Sequence, residues 1–257
     1  MTATNNFFLT GKTALVTGAS RGIGKAIAIA FAEAGAKVII VSRNQEELDK
    51  IAKQITDAGQ KAWAFACDIS RPGELQNFFK NVVSRTDPVD ILVNVAGAIF
   101  RSDSVDFPLD QWQMNIDVNL TAPFVFSQCL ARSCMERKQP GKIINITSLA
   151  AERGRATIPA YAASKGGLKL LTKVLAVEWA KYNINVNAIG PGYIGTELTQ
   201  PLQDNVEFNQ WVLDKTPLNR WGTPNDLTGA ALFLASGASD FITGQTIYVD
   251  GGWLANF

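Results

Sequence analysis

The sequence predicts a doubly wound α/β fold, in which one seven-stranded parallel sheet carries helices on both faces. Apolar, β-rich runs alternate with helical patterns along the chain, which is the order that parallel strands and their crossover helices produce. The seven runs are apolar on both faces, as expected for strands that helices cover from both sides. A chain of 257 residues with 47% hydrophobic and 18% charged residues suits one such domain.

The predicted elements follow one another in a regular order. The strands are Thr13–Thr17, Lys37–Ser42, Ala62–Cys67, Val89–Val93, Lys142–Thr147, Ile184–Ile189 and Thr246–Val249. The helices are Gly22–Ala34, Gln45–Ala58, Gly73–Ser84, Leu109–Arg137, Ala160–Lys181 and Asn225–Ala235. No repeat or low-complexity linker interrupts them, so we predict a single domain over residues 1–257. The proline-containing stretch 190–223 is too long for a simple connection, and we predict that it forms a substrate lid.

Composition excludes several kinds of function. The formal net charge of +1 gives no reason to expect a nucleic-acid or membrane partner. The sequence has no histidine, which excludes Ser-His-Asp and Cys-His catalysis and every His-ligated metal site, so we expect no metal. The first ten residues lack the pattern of a signal peptide, and no apolar run has the length of a membrane span. Three cysteines without a CxxC pair, Cys67, Cys129 and Cys134, favour a reducing cytoplasm.

A glycine-rich turn follows the first predicted strand, with the sequence TGASRGIG from Thr17 to Gly24. Its glycines would let the backbone turn tightly and approach a pyrophosphate, while the helix from Gly22 would point its free N–H groups at that anion. A plain strand-to-helix turn is the alternative. The position of the motif in the first βα turn of an alternating chain favours a nucleotide site.

The end of the second predicted strand indicates which dinucleotide would bind. Enzymes that use NAD commonly carry an acidic residue there, whereas this strand ends in Ser42 and Arg43, with no carboxylate before Glu46. Arg43, helped by Arg21, would hold a 2′-phosphate, and the sequence therefore predicts NADP(H). The alternative for Arg43 is a solvated loop cation. Asp68 follows the third strand and would either accept from the adenine amino group or cap the next helix.

Four residues form a candidate reacting centre. Tyr161 and Lys165 are four apart near the start of a helix and share a face, so the ammonium would lower the pKa of the phenol and make it a usable acid or base. Ser148 ends the fifth strand, and ligands of open α/β sheets bind at that edge. Asn119 lies inside a predicted helix, where Asn is unfavourable; it would either bond a helix carbonyl or relay a proton through water to Lys165.

Together these motifs resemble the short-chain dehydrogenase/reductase family over essentially the whole chain. The resemblance rests on TGASRGIG, Asn94-Val95-Ala96-Gly97, Asn119, Ser148, Tyr161-Ala162-Ala163-Ser164-Lys165 and Pro191-Gly192, in that order and spacing. Val95 departs from the family, which usually has a second Asn there, in a turn that supports the strand rather than the chemistry. The resemblance implies a Rossmann fold, a nicotinamide cofactor and a homotetramer.

The resemblance also implies a role for each matched residue. Tyr161 is the acid or base, Ser148 polarises the carbonyl, Lys165 holds the nicotinamide ribose and lowers the Tyr161 pKa, and Asn119 anchors a relay water. Asn94 and Gly97 flank the adenosine ribose, and Ile194 and Thr196 lie beside the carboxamide. The predicted cofactor contacts are Gly18, Ser20, Arg21, Gly22, Ile23, Gly24, Ser42, Arg43, Asp68, Ile69, Asn94, Ala96, Gly97, Tyr161, Lys165, Pro191, Gly192, Ile194 and Thr196.

Local sequence gives an indication of the substrate. The run from Ser148 to Ile158, Arg101, Arg220-Trp221-Gly222 and the tail from Val249 to Leu254 resemble gluconate 5-dehydrogenases, and the last two of these pieces also resemble the related 2-dehydro-3-deoxy-gluconate 5-dehydrogenases. A sugar acid needs a cation for its carboxylate and polar groups for its hydroxyls. The resemblance implies that Arg101 and Glu152 supply them beside Ser148 and Tyr161. The alternative is that both form surface ion pairs, and we expect Arg153 and Arg155 to be solvated.

Three functions remain open at this point. The first is an oxidoreductase of sugar acids such as gluconate and 5-ketogluconate. The second is a reductase of 3-oxoacyl thioesters or of a bulkier ketone such as tropinone, because the apolar side chains of Leu198, Leu202 and Trp211 in the predicted lid suit a hydrophobic ketone better. The third is a nucleotide-binding regulator without turnover, which the complete set of Asn119, Ser148, Tyr161 and Lys165 disfavours.

Overall fold

The computed structural model describes residues 6–256 of the chain. Within them, one parallel sheet has the strand order β3-β2-β1-β4-β5-β6-β7. Its strands are β1 (Thr13–Thr17), β2 (Lys37–Ser42), β3 (Ala62–Ala66), β4 (Ile91–Asn94), β5 (Gly141–Ile146), β6 (Ile184–Pro191) and β7 (Thr246–Val249). The predicted fold class is therefore confirmed, and β1, β2 and β7 have the predicted bounds.

Helices cover both faces of this sheet. They are α1 (Gly22–Glu33), α2 (Gln45–Asp57), α3 (Leu75–Arg85), α4 (Leu109–Ile116), α5 (Ala122–Arg137), α6 (Pro159–Trp179), α7 (Gln200–Gln203), α8 (Val206–Lys215) and α9 (Thr228–Ala235). Along β1, Ala14 and Val16 belong to the apolar layer that also contains Phe31 of α1. Leu15 belongs to the layer that contains Phe126 of α5. Both faces of the strand are thus buried, which explains its continuous apolar sequence.

Two segments differ from the prediction. The helix predicted over Leu109–Arg137 is interrupted, because a π-helical segment at Asp117–Thr121 separates α4 from α5. The predicted lid is not an irregular loop, since it contains α7 and α8, and its first two residues still belong to β6. Asn205 starts α8 by accepting a hydrogen bond from the Phe208 backbone N–H at 2.8 Å.

The topology determines where a ligand can bind. Strand β1 lies between β2 and β4, so the chain turns to opposite sides of β1 after its first and third crossovers. In a doubly wound sheet, the crevice at the carboxyl ends of the strands beside such a reversal receives the ligand. Among the described helices, none is both long and apolar enough to cross a membrane.

Candidate active site

A cleft of about 1620 Å³ opens at the carboxyl ends of the strands. This volume exceeds the roughly 300–1,000 Å³ of an ordinary small-molecule pocket and leaves room for a dinucleotide together with a substrate. Of the predicted cofactor contacts, Asn94 alone does not line it; the others do, namely Gly18, Ser20, Arg21, Gly22, Ile23, Gly24, Ser42, Arg43, Asp68, Ile69, Ala96, Gly97, Tyr161, Lys165, Pro191, Gly192, Ile194 and Thr196.

The glycine-rich turn fits a phosphate group. Gly18 has φ +66°, and a Cβ atom there would lie 2.8 Å from the Ala96 Cα atom. A Cβ atom on Gly24 would lie 2.3 Å from the Gly18 carbonyl oxygen, so neither position has room for a side chain. Helix α1 begins after Arg21 without a side-chain cap, which leaves its first N–H groups free to bind an anion. The turn can therefore hold the pyrophosphate of a dinucleotide.

Thr17 connects this turn to the next strand of the cleft, a role that our sequence analysis missed. Its hydroxyl oxygen accepts hydrogen bonds from the Val95 and Ala96 N–H groups at 3.1 and 3.2 Å. Its own O–H donates to the Val93 carbonyl at 3.4 Å. A hydroxyl residue directly before the first glycine was the available signal. The contact fixes the floor of the cleft between β1 and β4.

The end of β2 presents two cations to the cleft. Arg43 is exposed, and among the described residues no carboxylate lies within 4.0 Å of its guanidinium nitrogens. Arg21 pairs with Glu197 of the predicted lid at 3.0 Å, and both side chains are largely exposed. An exposed ion pair contributes about 0–1 kcal/mol, so Arg21 can exchange this partner for a phosphate at little cost.

Asp68 and Asn94 have partners that the sequence did not reveal. Asp68 lines the cleft, but its Oδ1 atom accepts from the Ser70 N–H at 3.1 Å and from the Ser70 hydroxyl at 2.8 Å.

Asn94 is buried, and its amide donates to the Asn145 Oδ1 atom at 2.8 Å. Asn145 in turn donates to the Thr172 hydroxyl at 2.9 Å. The Asn94 side chain therefore joins β4 to β5 beneath the cleft, and its predicted place beside the adenosine ribose stays a prediction.

Ser148, Tyr161 and Lys165 all face the cleft. The Lys165 ammonium is buried; it donates to the Ile146 carbonyl at 2.7 Å and lies 5.7 Å from the centre of the Tyr161 ring. Burial lowers the pKa of Lys165 from 10.5 to about 8. Burial raises the pKa of Tyr161, while the neighbouring Ser148 side chain and the positive charge of Arg101 act in the opposite direction. The three groups form one interacting set at the ends of β5 and α6.

Asn119 holds the loop after β4 against α6. It lies in the π-helical segment, where its Oδ1 atom accepts from the Ala98 N–H at 2.8 Å and its amide donates to the Ala98 carbonyl at 2.8 Å. The amide also donates to the Ser164 hydroxyl at 3.0 Å. Its partners are thus not carbonyls of its own helix. π-Helical turns occur frequently at functional sites, because the extra residue redirects a side chain.

Asn119 and Lys165 lie beside the same glycine. A Cβ atom on Gly97 would lie 3.4 Å from the Asn119 Oδ1 atom and 3.7 Å from the Lys165 Nζ atom. Gly97 and Lys165 line the cleft, whereas Asn119 is fully buried behind them. The proton relay through water from Asn119 to Lys165 stays a prediction.

The two predicted substrate contacts behave differently. Arg101 lines the cleft close enough to Tyr161 to affect its pKa, and no carboxylate in the described part of the chain pairs with it. Glu152 is exposed and lies outside the lining of the cleft; its carboxylate contacts Lys169 and the Tyr248 hydroxyl. The interpretation of Glu152 as a substrate contact is not supported, because it forms the surface ion pair that was the alternative.

A cluster of aromatic side chains forms the wall opposite Tyr161. The Tyr193 ring lies 5.8 Å from Phe208 and from Trp211 and 6.0 Å from Trp253, centre to centre. Of these four, only Trp211 was predicted to lie beside the substrate, and Trp253 entered only through the tail from Val249 to Leu254. Arg155, predicted to be solvated, is half-buried and lines the cleft. Aromatic residues at irregular spacing gave no periodic signal that would have grouped them.

The fold and this site define an oxidoreductase that binds a dinucleotide. A family model described as "Enoyl-(Acyl carrier protein) reductase" matches residues 18–254. The chain belongs to the short-chain dehydrogenase/reductase family, whose members oxidise hydroxyl groups or reduce carbonyl groups.

Several relatives are similar over nearly the whole chain. A 2-dehydro-3-deoxy-D-gluconate 5-dehydrogenase of Formosa agariphila is 42% identical over 97% of this chain and 95% of its own. A 5-keto-D-gluconate 5-reductase of Escherichia coli is 42% identical over 96% of this chain and 97% of its own. The crystal structure of a gluconate 5-dehydrogenase from Burkholderia cenocepacia, in complex with NADP and tartrate, has a TM-score of 0.95 and 41% identity, covering 100% of both chains.

Proposed function

We propose that the protein interconverts a secondary hydroxyl group of a sugar acid of the gluconate type and the corresponding ketone, with NADP(H) as cofactor. The observation that carries this proposal is the position of Arg101, a cation without a carboxylate partner among the described residues, beside Tyr161 in the cleft. A carboxylate is the natural ligand of such a guanidinium group. The relatives named for gluconate and keto-gluconate chemistry support the same substrate class.

The residues of the cleft can perform the proton transfer of this reaction. In the direction of reduction, the Ser148 hydroxyl donates a hydrogen bond to the substrate carbonyl oxygen and the Tyr161 phenol donates its proton to that oxygen. The Lys165 ammonium favours the phenolate that remains. When bound, the nicotinamide supplies the hydride for reduction or accepts it in oxidation. Asn119 keeps the loop after β4 in place beside Lys165.

The choice of NADP(H) rests on the cations at the end of β2. Arg43, Arg21 and the Ser42 hydroxyl all line the cleft there. Ser42 and Arg43 stand where an NAD enzyme would commonly carry a carboxylate for the ribose 2′-hydroxyl. Glu47 also lines the cleft, but its carboxylate pairs with Lys50 at 2.7 Å. Related structures with bound NADP support this choice.

The alternative function is the reduction of 3-oxoacyl thioesters or bulky ketones, and its support is the apolar side chains of the predicted lid. Trp211 does not depend on a substrate for contacts, because it packs against Tyr193 and against Trp253 at 5.8 and 6.0 Å. A neutral ketone or thioester would give Arg101, an exposed cation at the cleft, no charged partner, whereas a sugar acid would. We therefore favour the sugar acid.

The test of the substrate class is the substitution Arg101→Ala. It should lower kcat/KM for the sugar acid roughly 30- to 700-fold, mainly by raising KM. This factor corresponds to a loss of about 2–4 kcal/mol in transition-state stabilisation. An uncharged ketone should be affected by no more than a few-fold. Arg132→Ala, which removes an exposed arginine of α5 far from the cleft, is the matched control. Efficient reduction of acetoacetyl thioesters without turnover of gluconate or 5-ketogluconate would contradict the proposal.

We further propose that the protein is a homotetramer in the cytoplasm. Apolar side chains are exposed on α4 and α6, with Leu109 and Val177 each 83% accessible and Leu170 63% accessible. Exposed apolar surface of this kind is typical of contacts between identical subunits. Free cysteines at positions 67, 129 and 134 support a reducing compartment. Light scattering at micromolar concentration should give four times the 27.8 kDa chain mass, and a monomer mass would contradict the assembly.

A further inference from the structure

The Arg155 side chain contacts two aromatic residues of the lid. Its Nη1 atom donates to the Tyr193 hydroxyl at 3.2 Å, and its guanidinium carbon lies 4.5 Å from the centre of the Phe208 ring. Tyr193 follows β6, where the lid begins, and Phe208 lies on α8 within it. No carboxylate lies within 4.0 Å of the Arg155 guanidinium nitrogens among residues 6–256. A half-buried arginine is therefore oriented by the lid but has no counter-ion.

Arg155, Arg101 and Tyr193 all line the cleft. Burial and then the positive charge of Arg155 lower the pKa of Arg101. Burial raises the pKa of Tyr193, and the charges of both arginines act against that rise. Two guanidinium groups close enough to affect each other repel unless an anion lies between them. Each can give two parallel N–H groups to a carboxylate, so a single carboxylate can neutralise much of this repulsion.

The contacts of Tyr193 connect this arrangement to the rest of the lid. Its ring packs edge-on against Phe208 and Trp211 of α8, both at 5.8 Å, while its hydroxyl accepts the Arg155 hydrogen bond. Movement of α8 away from the cleft would remove the Phe208 ring from Arg155. A ligand that fixes Arg155 therefore also favours the position of α8 over the cleft.

We propose that Arg155 is a second carboxylate-binding residue, positioned by the Tyr193 hydroxyl and the Phe208 ring, so that the acid group of the substrate binds between Arg101 and Arg155 and holds the lid closed. This inference rests on the proposed function, since it requires an acidic substrate. Tyr193 and Phe208 are positioning residues, because they act on the carboxylate through Arg155. The arrangement selects substrates that carry a carboxylate at a fixed distance from the carbon that meets Tyr161.

The test is the binding of D-gluconate to the enzyme saturated with NADPH, measured by calorimetry. Gluconate carries the hydroxyl group and NADPH already carries the hydride, so no hydride can be transferred between them. The dissociation constant is therefore independent of the chemical step. Arg155→Gln should weaken gluconate binding by about 10- to 100-fold, the range expected for a charge-assisted contact. Arg155→Lys should restore part of that loss. Sorbitol, an uncharged polyol, should bind to wild type and to both variants within about two-fold.

The substitution Tyr193→Phe tests whether the Tyr193 hydroxyl positions Arg155, independently of the packing of the Tyr193 ring. It keeps the ring contacts with Phe208 and Trp211 but removes the oxygen that accepts from Arg155. Gluconate binding should weaken by about 3- to 10-fold, the value of one hydrogen bond, with sorbitol binding unchanged. In turnover, the variant should raise KM for the acid and leave kcat within two-fold. An effect on kcat and on sorbitol binding alike would assign Tyr193 a merely structural role and overturn the positioning.

The two proposals fail in different ways. If Arg155→Gln binds gluconate as tightly as wild type does, the second carboxylate contact is wrong while the proposed function stands. If Arg155→Gln weakens gluconate binding but the wild type does not turn over any sugar acid, the carboxylate site stands and the substrate assignment fails. Absence of measurable carboxylate binding to the wild type overturns both.

Discussion

The buried ammonium of Lys165 leads to a quantitative prediction about stability. In the unfolded chain the pKa of Lys165 keeps its ordinary value of 10.5, whereas burial lowers it to about 8 in the folded protein. Between these two values the unfolded state binds more protons than the folded state, so the free energy of unfolding rises with pH across that window. The buried Lys165 ammonium therefore lowers the free energy of unfolding below pH 8. This loss becomes smaller as the pH rises towards 10.5.

The size of the effect follows from the two pKa values. A fall from 10.5 to about 8 corresponds to roughly 3 kcal/mol of differential stability, most of which is gained between pH 7 and pH 10. The hydrogen bond from Nζ to the Ile146 carbonyl favours the ammonium, so it acts against the effect of burial.

The assay compares Tyr161→Phe with the double variant Tyr161→Phe, Lys165→Met. The phenylalanine removes a second titrating group from the comparison, and methionine keeps the length of the lysine side chain without its charge. Urea unfolding of the cofactor-free proteins at equal concentration should be measured at pH 7, 8, 9 and 10. Between pH 7 and pH 10, the difference in unfolding free energy should move by roughly 2–3 kcal/mol in favour of the lysine protein. A difference that does not change with pH would show that the ammonium is not desolvated.

Three further substitutions test the cleft. Tyr161→Phe should reduce kcat to below a few per cent while NADPH binding, measured by fluorescence, is unchanged, because the proton donor is lost and the ring is kept. Wild type should prefer NADP(H) to NAD(H) by at least about tenfold in kcat/KM, and Arg43→Asp should reverse this; equal values in the wild type would contradict the prediction. Glu197→Ala should tighten NADPH binding by up to about five-fold and leave NADH binding unchanged, since it releases Arg21 from an exposed ion pair. A matching change in NADH affinity would show that Arg21 does not bind the 2′-phosphate.

Much of the fold and of the reacting centre could be predicted because both depend on local patterns. The apolar runs and helical periods are set by burial on each element, and the predicted bounds of β1, β2 and β7 agree with the structure. Tyr161 and Lys165 share a face of α6 because four residues make about one helical turn. The π-helical segment around Asn119 was missed, since one extra residue in a turn leaves no periodic trace over so short a stretch.

Asn94 shows a different limit of local sequence. An asparagine at the end of a strand in a doubly wound sheet can point into the cleft or into the layer beneath it, and the sequence near it does not decide between these. Here the partners that fix its direction are Asn145 on β5 and, through it, Thr172 on α6. The partner of its amide nitrogen made the choice, because a buried N–H group without a partner costs about 1–3 kcal/mol. The Asn94 Oδ1 atom is buried without a partner among the described residues.

The loop between β5 and α6 explains why the directions of the Glu152 and Arg155 side chains could not be predicted. Both residues follow Ser148 within a few positions, and either charge could face the substrate as far as the sequence shows. The short 3₁₀ turn at Leu149–Ala151 directs Glu152 towards Lys169 and Tyr248, outside the cleft. Arg155 instead meets the Tyr193 hydroxyl, 38 residues further along the chain. The direction of each side chain thus depends on partners in β7, α6 and the lid, so the chemistry could be predicted from one helix and one strand end, whereas substrate selection could not.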